Sequence, residues 1–577
     1  MVTTVAPTKR LTVQTEAIAA DTTAIRSLDW DRDRFDIEFG LQNGTTYNSF
    51  IIRGEKVALV DTSHAKFRQL YLELLKGEID PATIDYLVIS HTEPDHSGLV
   101  GDILDLNPDI TVVGSKVAMT FLENQVHREF QRRTVKSGDS LDLGNGHELQ
   151  FLLAPNLHWP DTIFSFDTAT GVLYTCDAFG LHYCSDLIYD ENLAAIEKDF
   201  QFYYECLMAP NARSVTKALK GLDKLQQDYD IKLVATGHGP LLRFHLQELL
   251  GRYRTWSANQ TQASTAVAVF YISDYGYSDR LTQAIARGIT KTGVAVEMMD
   301  LKGADPQEAY ELVGDVAGLV ISMPPASGAM TEQIQAAFGT IVAAANHKQL
   351  LGLVESYGGD DEPIDPILTQ FREAGLDLGF EPIRVKEEPS ENTYQLCEES
   401  GTDLGQKLSQ KKTNRKKQSL DSSLIQALGR ISSGLYIITA QKGELRSAML
   451  ASWVSQASFE PLGFTIAVAK DRAIESLMQV GDTFVLNVLE EGNHLKLMKH
   501  FLKRFAPGAD RFAEVNTQPA KNGSPILTDA LTYLECTVSR RMETSDHWIV
   551  YSTVQEGRVS NQEARTASHR RKVGNYY

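Results

Sequence analysis

The sequence predicts a multidomain α/β protein: a mixed α/β module, then a doubly wound parallel sheet, then a small β-barrel. Three observations lead there. The chain has 577 residues, too many for one hydrophobic core and enough for three or four domains. Between about residues 30 and 258, short β-rich runs end in polar turns and alternate with helical stretches. From residue 264 the alternation becomes regular, and beyond residue 420 the chain is β-rich with few helical patterns.

In the first module, 30–258, the β-rich runs are Thr46 to Arg53, Val57 to Asp61, Tyr86 to His91 and Ile110 to Gly114. Polar turns such as Asp139 to His147 separate the later strands. In the second, 264–400, strand-like Ala266 to Ser273, Val294 to Asp300, Val316 to Ser322, Leu350 to Glu355 and a run around Glu381 to Val385 alternate with helical segments. Five strands with helices between them make a doubly wound parallel sheet. Residues 387–420 break the rhythm, and the basic run Lys407 to Lys417 has no apolar period, so 401–420 is expected to be a linker. The last module, 421–577, has five or more strand-like runs, among them Gly434 to Ala440, Phe464 to Ala469 and Phe484 to Leu489. A small barrel is the expected closure.

Composition narrows the function classes. A hydrophobic share of 42% and a charged share of 23% are those of an ordinary globular chain. The net charge of −19 argues against nucleic acid as a partner, because phosphate contacts need clustered cations. No apolar window reaches the ~18 residues of a membrane span. The first 29 residues lack an apolar signal core and carry Glu16 and Asp21, so a cytoplasmic location is expected. Five cysteines without a CxxC pair are expected to be reduced and mostly buried.

The densest chemistry lies at residues 91–96, His-Thr-Glu-Pro-Asp-His, at the end of the run that starts at Tyr86. His158, Asp177 and His238 each close a similar apolar stretch. Strands of one sheet that end in turns can bring such groups to one crevice. Pro94 disfavours helix at Glu93 and suits a helix start, so His91 and Glu93 should lie in a turn while Asp95 and His96 begin a helix. Four imidazoles and three carboxylates exceed what one tetrahedral ion takes, so the count asks for two metals. Asp177, with two oxygens, could bridge them.

This arrangement resembles the metallo-β-lactamase superfamily, whose hydrolases carry HxHxDH. Here the second histidine is Glu93, and a mixed His/carboxylate shell suits iron better than zinc. The pattern H-x-E-x-D-H, then His, Asp and His at intervals of 62, 19 and 61 residues, resembles that of flavodiiron proteins. The resemblance implies an αββα first domain. It further implies His91, Glu93 and His158 on one iron, Asp95, His96 and His238 on the other, and Asp177 bridging. His96 could instead orient a ligand. His182 and Tyr183 are expected to pack nearby, with proton supply as the alternative role.

In the second module the first strand runs into Ser273, Asp274, Tyr275, Gly276, Tyr277 and Ser278 at a helix start, where amides and hydroxyls suit a phosphate. Pro324 and Pro325 follow the third strand, and Ser356, Tyr357, Gly358 and Gly359 follow the fourth. Three such loops at one sheet edge suit FMN. The segment resembles a flavodoxin domain, departing from its loop pattern at Asp274 and Tyr275. The last module resembles flavin reductase domains (a split β-barrel) on Met449 to Ser458, Ala469 to Arg472 and Asp546 to Trp548. Ser452 would meet the flavin's polar edge, Lys470 and Arg472 its phosphate, and His547 the flavin or the nicotinamide. The flavin there is FMN or FAD.

The three-module order resembles the long flavodiiron proteins of oxygenic phototrophs, the diflavin flavoproteins. The resemblance covers nearly all of residues 30–577, and the C-terminal run from His569 to Tyr577 also looks family-like. It implies electron transfer from NAD(P)H, through flavin, to two iron ions that reduce O2 to water. It also implies a head-to-tail homodimer or a heterodimer with a related chain, and leaves room for a small electron-donor protein. Nitric oxide reduction on the same site, and a zinc hydrolase fused to flavin domains, are the alternatives.

Overall fold

The computed structural model describes residues 10–32, 34–35, 39–272, 277–302, 305–323, 332–355, 364–386, 388–409, 422–569 and 571. The chain forms two compact units, residues 1–264 with 296–300, and residues 265–295 with 301–577.

In the first unit, seven strands follow the order Leu11–Ala19, Thr22–Asp29, Thr45–Arg53, Val57–Val60, Tyr86–Val88, Thr111–Gly114, Gln131–Thr134. The first four pair antiparallel and the rest parallel. The sheet therefore starts at Leu11, not near residue 30. Polar residues hid this hairpin: Arg26, Ser27 and Asp29 are buried in its second strand, and Arg26 donates to the carbonyls of Ser185 and Leu187 at 3.2 and 2.9 Å.

A second, five-stranded sheet has the order Ser140–Gly144, His147–Leu153, Ile163–Asp167, Val172–Cys176, Leu233–Thr236. Asn145 and Gly146, both at positive φ, make the tight turn between its first two strands. The alternation of side chains along each strand builds two cores. Phe50, Ala58 and Val60 meet Leu149, Phe151 and Tyr174 between the sheets. Their neighbours Ile51 and Leu59 turn outward onto Phe67, Tyr71 and Leu75, while Leu173 and Val234 join Phe200, Leu219 and Leu222. Sheet on sheet with helices outside gives the αββα layering. The segments that carry His91 to His96, His158, Asp177 and His238 follow strands of these two sheets.

In the second unit, Ala266–Tyr271, Gly318–Met323 and Leu350–Glu355 form a parallel ladder. Asp377–Leu378 extends this ladder beyond Leu350–Glu355, and helices intervene between the strands, so the sheet is doubly wound. The last module is a seven-stranded antiparallel sheet in the order Leu445–Ala451, Tyr436–Lys442, Thr483–Val488, Thr532–Glu543, His547–Val559, Leu462–Ala469, Val454–Phe459.

The segment read as linker from residue 401 is helical to Leu408. Helix Glu391–Leu408 begins at a Ser390/Thr393 capping box and packs on helix Tyr277–Thr290. Their backbones come so close that a Cβ at Gly401 would lie 2.1 Å from the Ile285 carbonyl, and one at Gly288 would lie 2.0 Å from that of Glu398. The linker expectation rested on the basic run from Lys407, whereas the contact is made by glycines that leave no apolar period in the sequence. Residues 410–421 lie outside the described residues.

A buried ion group ties helix, parallel sheet and barrel together within this unit. Glu475 pairs with Lys291 at 2.7 Å and with Arg541, and Lys291 also meets Glu398. Burial opposes ionisation of Glu475, but Lys291, Arg541 and Arg287 hold its carboxyl well below the ordinary value of 4.5. Its stabilisation is therefore present above that value and lost as pH falls further. Replacing Glu475 by Ala strands the Arg541 guanidinium, leaves Lys291 with Glu398 alone, and should cost about 3–5 kcal/mol near neutral pH. In denaturant titrations the deficit should shrink below about pH 4.

Candidate functional site

The sharpest local feature is the turn after Tyr86–Val88. Pro94 is the first residue of the short helix Pro94–Ser97, so Glu93 stays extended (φ −56°, ψ 139°) while Asp95 and His96 lie on the helix. His158 follows the His147–Leu153 strand, Asp177 follows Cys176 directly, and His238 lies two residues beyond Thr236. Cys176 has a φ of +50°, a left-handed turn at the strand end just before Asp177.

All seven residues expected to bind metal are buried and meet at one place. His91, Glu93, His158 and Asp177 bring ligand atoms within 4.8 Å of one another, and so do Asp95, His96 and His238. Asp177 faces both groups. Its Oδ2 lies 3.3 Å from His91 Nε2 and 3.1 Å from His158 Nε2, while its Oδ1 lies 2.9 Å from His96 Nε2 and 3.2 Å from His238 Nε2. Glu93 Oε2 is 3.0 Å from His158 Nε2, and Asp95 Oδ2 is 3.3 Å from His238 Nε2. His96 thus stands as deep in the cluster as its neighbours.

The donor set fits cations. Both oxygens of Asp95 and Nε2 of His158 are buried without a hydrogen bond. Three carboxylates crowded out of water are costly unless positive charge joins them. Without metal, protons must supply it. Burial opposes charge on His158 and His238, yet Glu93 and Asp177 hold His158 up to about 9, and Asp177 and Asp95 hold His238 up to about 10. Burial likewise works against the Asp177 carboxylate, and the imidazoles of His96, His158, His238 and His91 outweigh it, lowering its pKa.

Other residues steer the ligands, and sequence reasoning missed them. Asp161 accepts from the Thr92 amide at 2.8 Å and sits 3.2 Å from His91 Nδ1, which fixes that ring with Nε2 toward the cluster. Its place three residues after His158 was the available signal. The Thr46 carbonyl takes the Nδ1 proton of His238 at 2.6 Å, a backbone contact with no sequence trace. Asp61, raised to about 6 chiefly by burial, accepts from the Ser90 amide at 2.7 Å and anchors the start of the turn. His182 lies beside the cluster, its ring 4.8 Å from that of His238 and its Nδ1 2.9 Å from Thr45 Oγ1. Burial keeps it neutral.

The flavin residues fare differently. Ser273, Asp274, Tyr275, Gly276, Pro324, Pro325, Ser356, Tyr357, Gly358 and Gly359 lie outside the described residues. Of Tyr277 and Ser278 the described backbone opens helix Tyr277–Thr290. In the barrel module a cavity of about 460 Å³ is lined by Ser452 and Arg472, and by Trp453, Arg504 and Arg511. Lys470 does not line it; it pairs with Glu543. His547 lies one layer behind, its ring 5.1 Å from that of Trp453. Strand pairing carries Lys470 and His547 past the cavity wall. The segment 498–511 forms much of that wall and held no recognisable motif.

Comparison with known proteins agrees with this layout. A family model described as ODP family beta lactamase matches residues 45–239, and one described as flavin reductase like domain matches 428–576. Diflavin flavoprotein A 1 of Synechocystis sp. (strain PCC 6803) is 66% identical over 99% of both chains. The chain belongs to the diflavin flavoproteins. A solved metal-soaked flavodiiron core, also from Synechocystis, is 37% identical with a TM-score of 0.63, covering 70% of this chain and 99% of that one. Membership makes this chain a flavin-linked oxidoreductase with a metallo-β-lactamase-like first domain. Among the described residues no helix is long and apolar enough to cross a membrane.

Two outcomes follow from the cluster. Titrating metal-free protein with ferrous iron near neutral pH should release at least two protons per chain, because His91, His96, His158 and His238, although burial opposes their charge, are all held above their ordinary value by the carboxylates around them. Binding without proton release, read with a pH indicator, would contradict the convergence. A Cβ at Gly237 would sit 2.7 Å from His96 Cε1 and 3.0 Å from the Cys176 carbonyl carbon. Gly237→Ala should therefore displace His96 and lower bound metal by elemental analysis, at a folding cost of about 1–3 kcal/mol.

Proposed function

We propose that this chain passes electrons from NAD(P)H through flavin to a pair of irons that reduces O2 to water. The observation that carries the reading is the position of Asp177, whose two carboxylate oxygens face different pairs of imidazoles. In this reading His91, Glu93 and His158 hold one ion, Asp95, His96 and His238 hold the other, and Asp177 joins them. Glu93, in place of a second histidine, favours iron over zinc. When bound, flavin converts a two-electron hydride into single electrons, and paired irons deliver them to a diatomic.

The chain's own groups set the conditions for that chemistry. Asp161 and the Thr46 carbonyl orient His91 and His238, so that each presents Nε2 to the cluster. His182, Tyr203 and Tyr47 pack their rings at 4.8, 6.2 and 5.6 Å from His238, making a wall that excludes bulk water. A dry, preformed cage of this kind holds its ligands fixed as charge changes. The same reading places FMN at the end of the parallel sheet, a second flavin in the barrel-module cavity, and the active assembly as a head-to-tail dimer in the cytoplasm.

Asp177→Ala should abolish O2 consumption while NAD(P)H still reduces the flavin, followed by oxygen electrode and flavin absorbance. Unchanged O2 consumption would remove the cluster from the reaction.

A further inference from the structure

Helix Glu391–Leu408 forms one wall of the 460 Å³ cavity, a volume in the range of small-molecule pockets. One face of the helix is locked onto helix Tyr277–Thr290 through Gly288 and Gly401. The other presents carboxylates to the cavity's cations. Glu399 Oε2 pairs with Arg511 at 3.1 Å and also accepts from the Gly508 amide at 3.0 Å. Asp403 pairs with Arg504 and, along the helix, with Lys407 at 3.1 Å. Glu399 is buried and Arg511 only slightly exposed, so this pair is poorly screened.

The charge count of the wall is informative. Four cations line it (Arg472, Lys503, Arg504, Arg511), and four carboxylates face them (Glu398, Glu399, Asp403, Asp471). Glu398 and Asp471 have partners away from the two arginines: Lys291 for the first, and the Gln406 amide at 3.0 Å for the second. Among the described residues, Glu399 and Asp403 are the carboxylates that pair with Arg511 and Arg504. A ligand carrying a phosphate would thus meet two arginines of the wall, Arg504 and Arg511, already paired with carboxylates of the helix.

We propose that helix Glu391–Leu408 acts as an internal competitor for a phosphate-bearing ligand. The Glu399 and Asp403 carboxylates occupy Arg511 and Arg504, and the phosphate of a flavin nucleotide must take those arginines from them. This deepens the reading that the barrel module binds flavin, and rests on it. The helix thereby weakens flavin retention in the barrel module, and because it is packed on the parallel-sheet module it ties that retention to the neighbouring module's position.

The test is a titration of flavin-free full-length protein with FMN, read by quenching of flavin fluorescence, in the parent chain and in Asp403→Asn, Glu399→Gln, Arg504→Gln and Arg511→Gln. The parent should take up two FMN per chain. Asp403→Asn and Glu399→Gln should tighten one of the two sites about three- to tenfold, and the arginine variants should weaken that same site by at least as much. A merely structural helix would weaken binding in all four. Asp403 lies at the rim, so its variant keeps the test valid if Glu399→Gln fails to fold. Two FMN bound with affinity unchanged or weakened in the acid variants overturns the competition alone. One FMN per parent chain overturns the flavin reading of the barrel module and the competition with it.

Discussion

The fold of the first module is organised around a single electrostatic constraint: Glu93, Asp95 and Asp177 are buried among the same four imidazoles. Carboxylates so placed repel each other and forfeit hydration, and a chain keeps them together only where positive charge is always at hand. Four imidazoles surround them, and two of those, His91 and His238, are pinned by Asp161 and by the Thr46 carbonyl. The candidate ligands lie in turns, or on the short helix Pro94–Ser97, that follow strands, so the twist and spacing of two packed sheets set the separations. The αββα layering is the scaffold that makes such crowding reproducible.

How far this was legible from the sequence depends on the kind of contact. Ligands at strand ends announce themselves, because an apolar run closing on His, Asp or Glu is a local pattern, and Pro94 adds its own conformational rule. The parallel sheet was equally plain from its alternating runs. The N-terminal hairpin was not, since Arg26, Ser27 and Asp29 are polar residues buried by partners far away in the chain. Asp161 and Thr46 were invisible for the same reason: their roles exist only once His91 and His238 have been brought to them.

Helix Glu391–Leu408 shows the opposite case, in which composition misled. Its glutamates and lysines suggest a solvated linker, yet Glu398 and Glu399 are buried in ion pairs and Gly401 sits against a neighbouring backbone. Charged residues that are paired on folding look identical in sequence to charged residues left in water. The barrel module adds a milder version: Ser452 and Arg472 reach the cavity, whereas Lys470, one residue from Asp471 in its wall, turns to Glu543 instead.

Metal analysis of the intact chain combined with Mössbauer spectroscopy puts the whole account at risk in one measurement. A carboxylate shared between neighbouring ions predicts two irons per chain, in unequal ligand environments and magnetically coupled to each other. Zinc alone, or iron present as a single uncoupled centre, would contradict it.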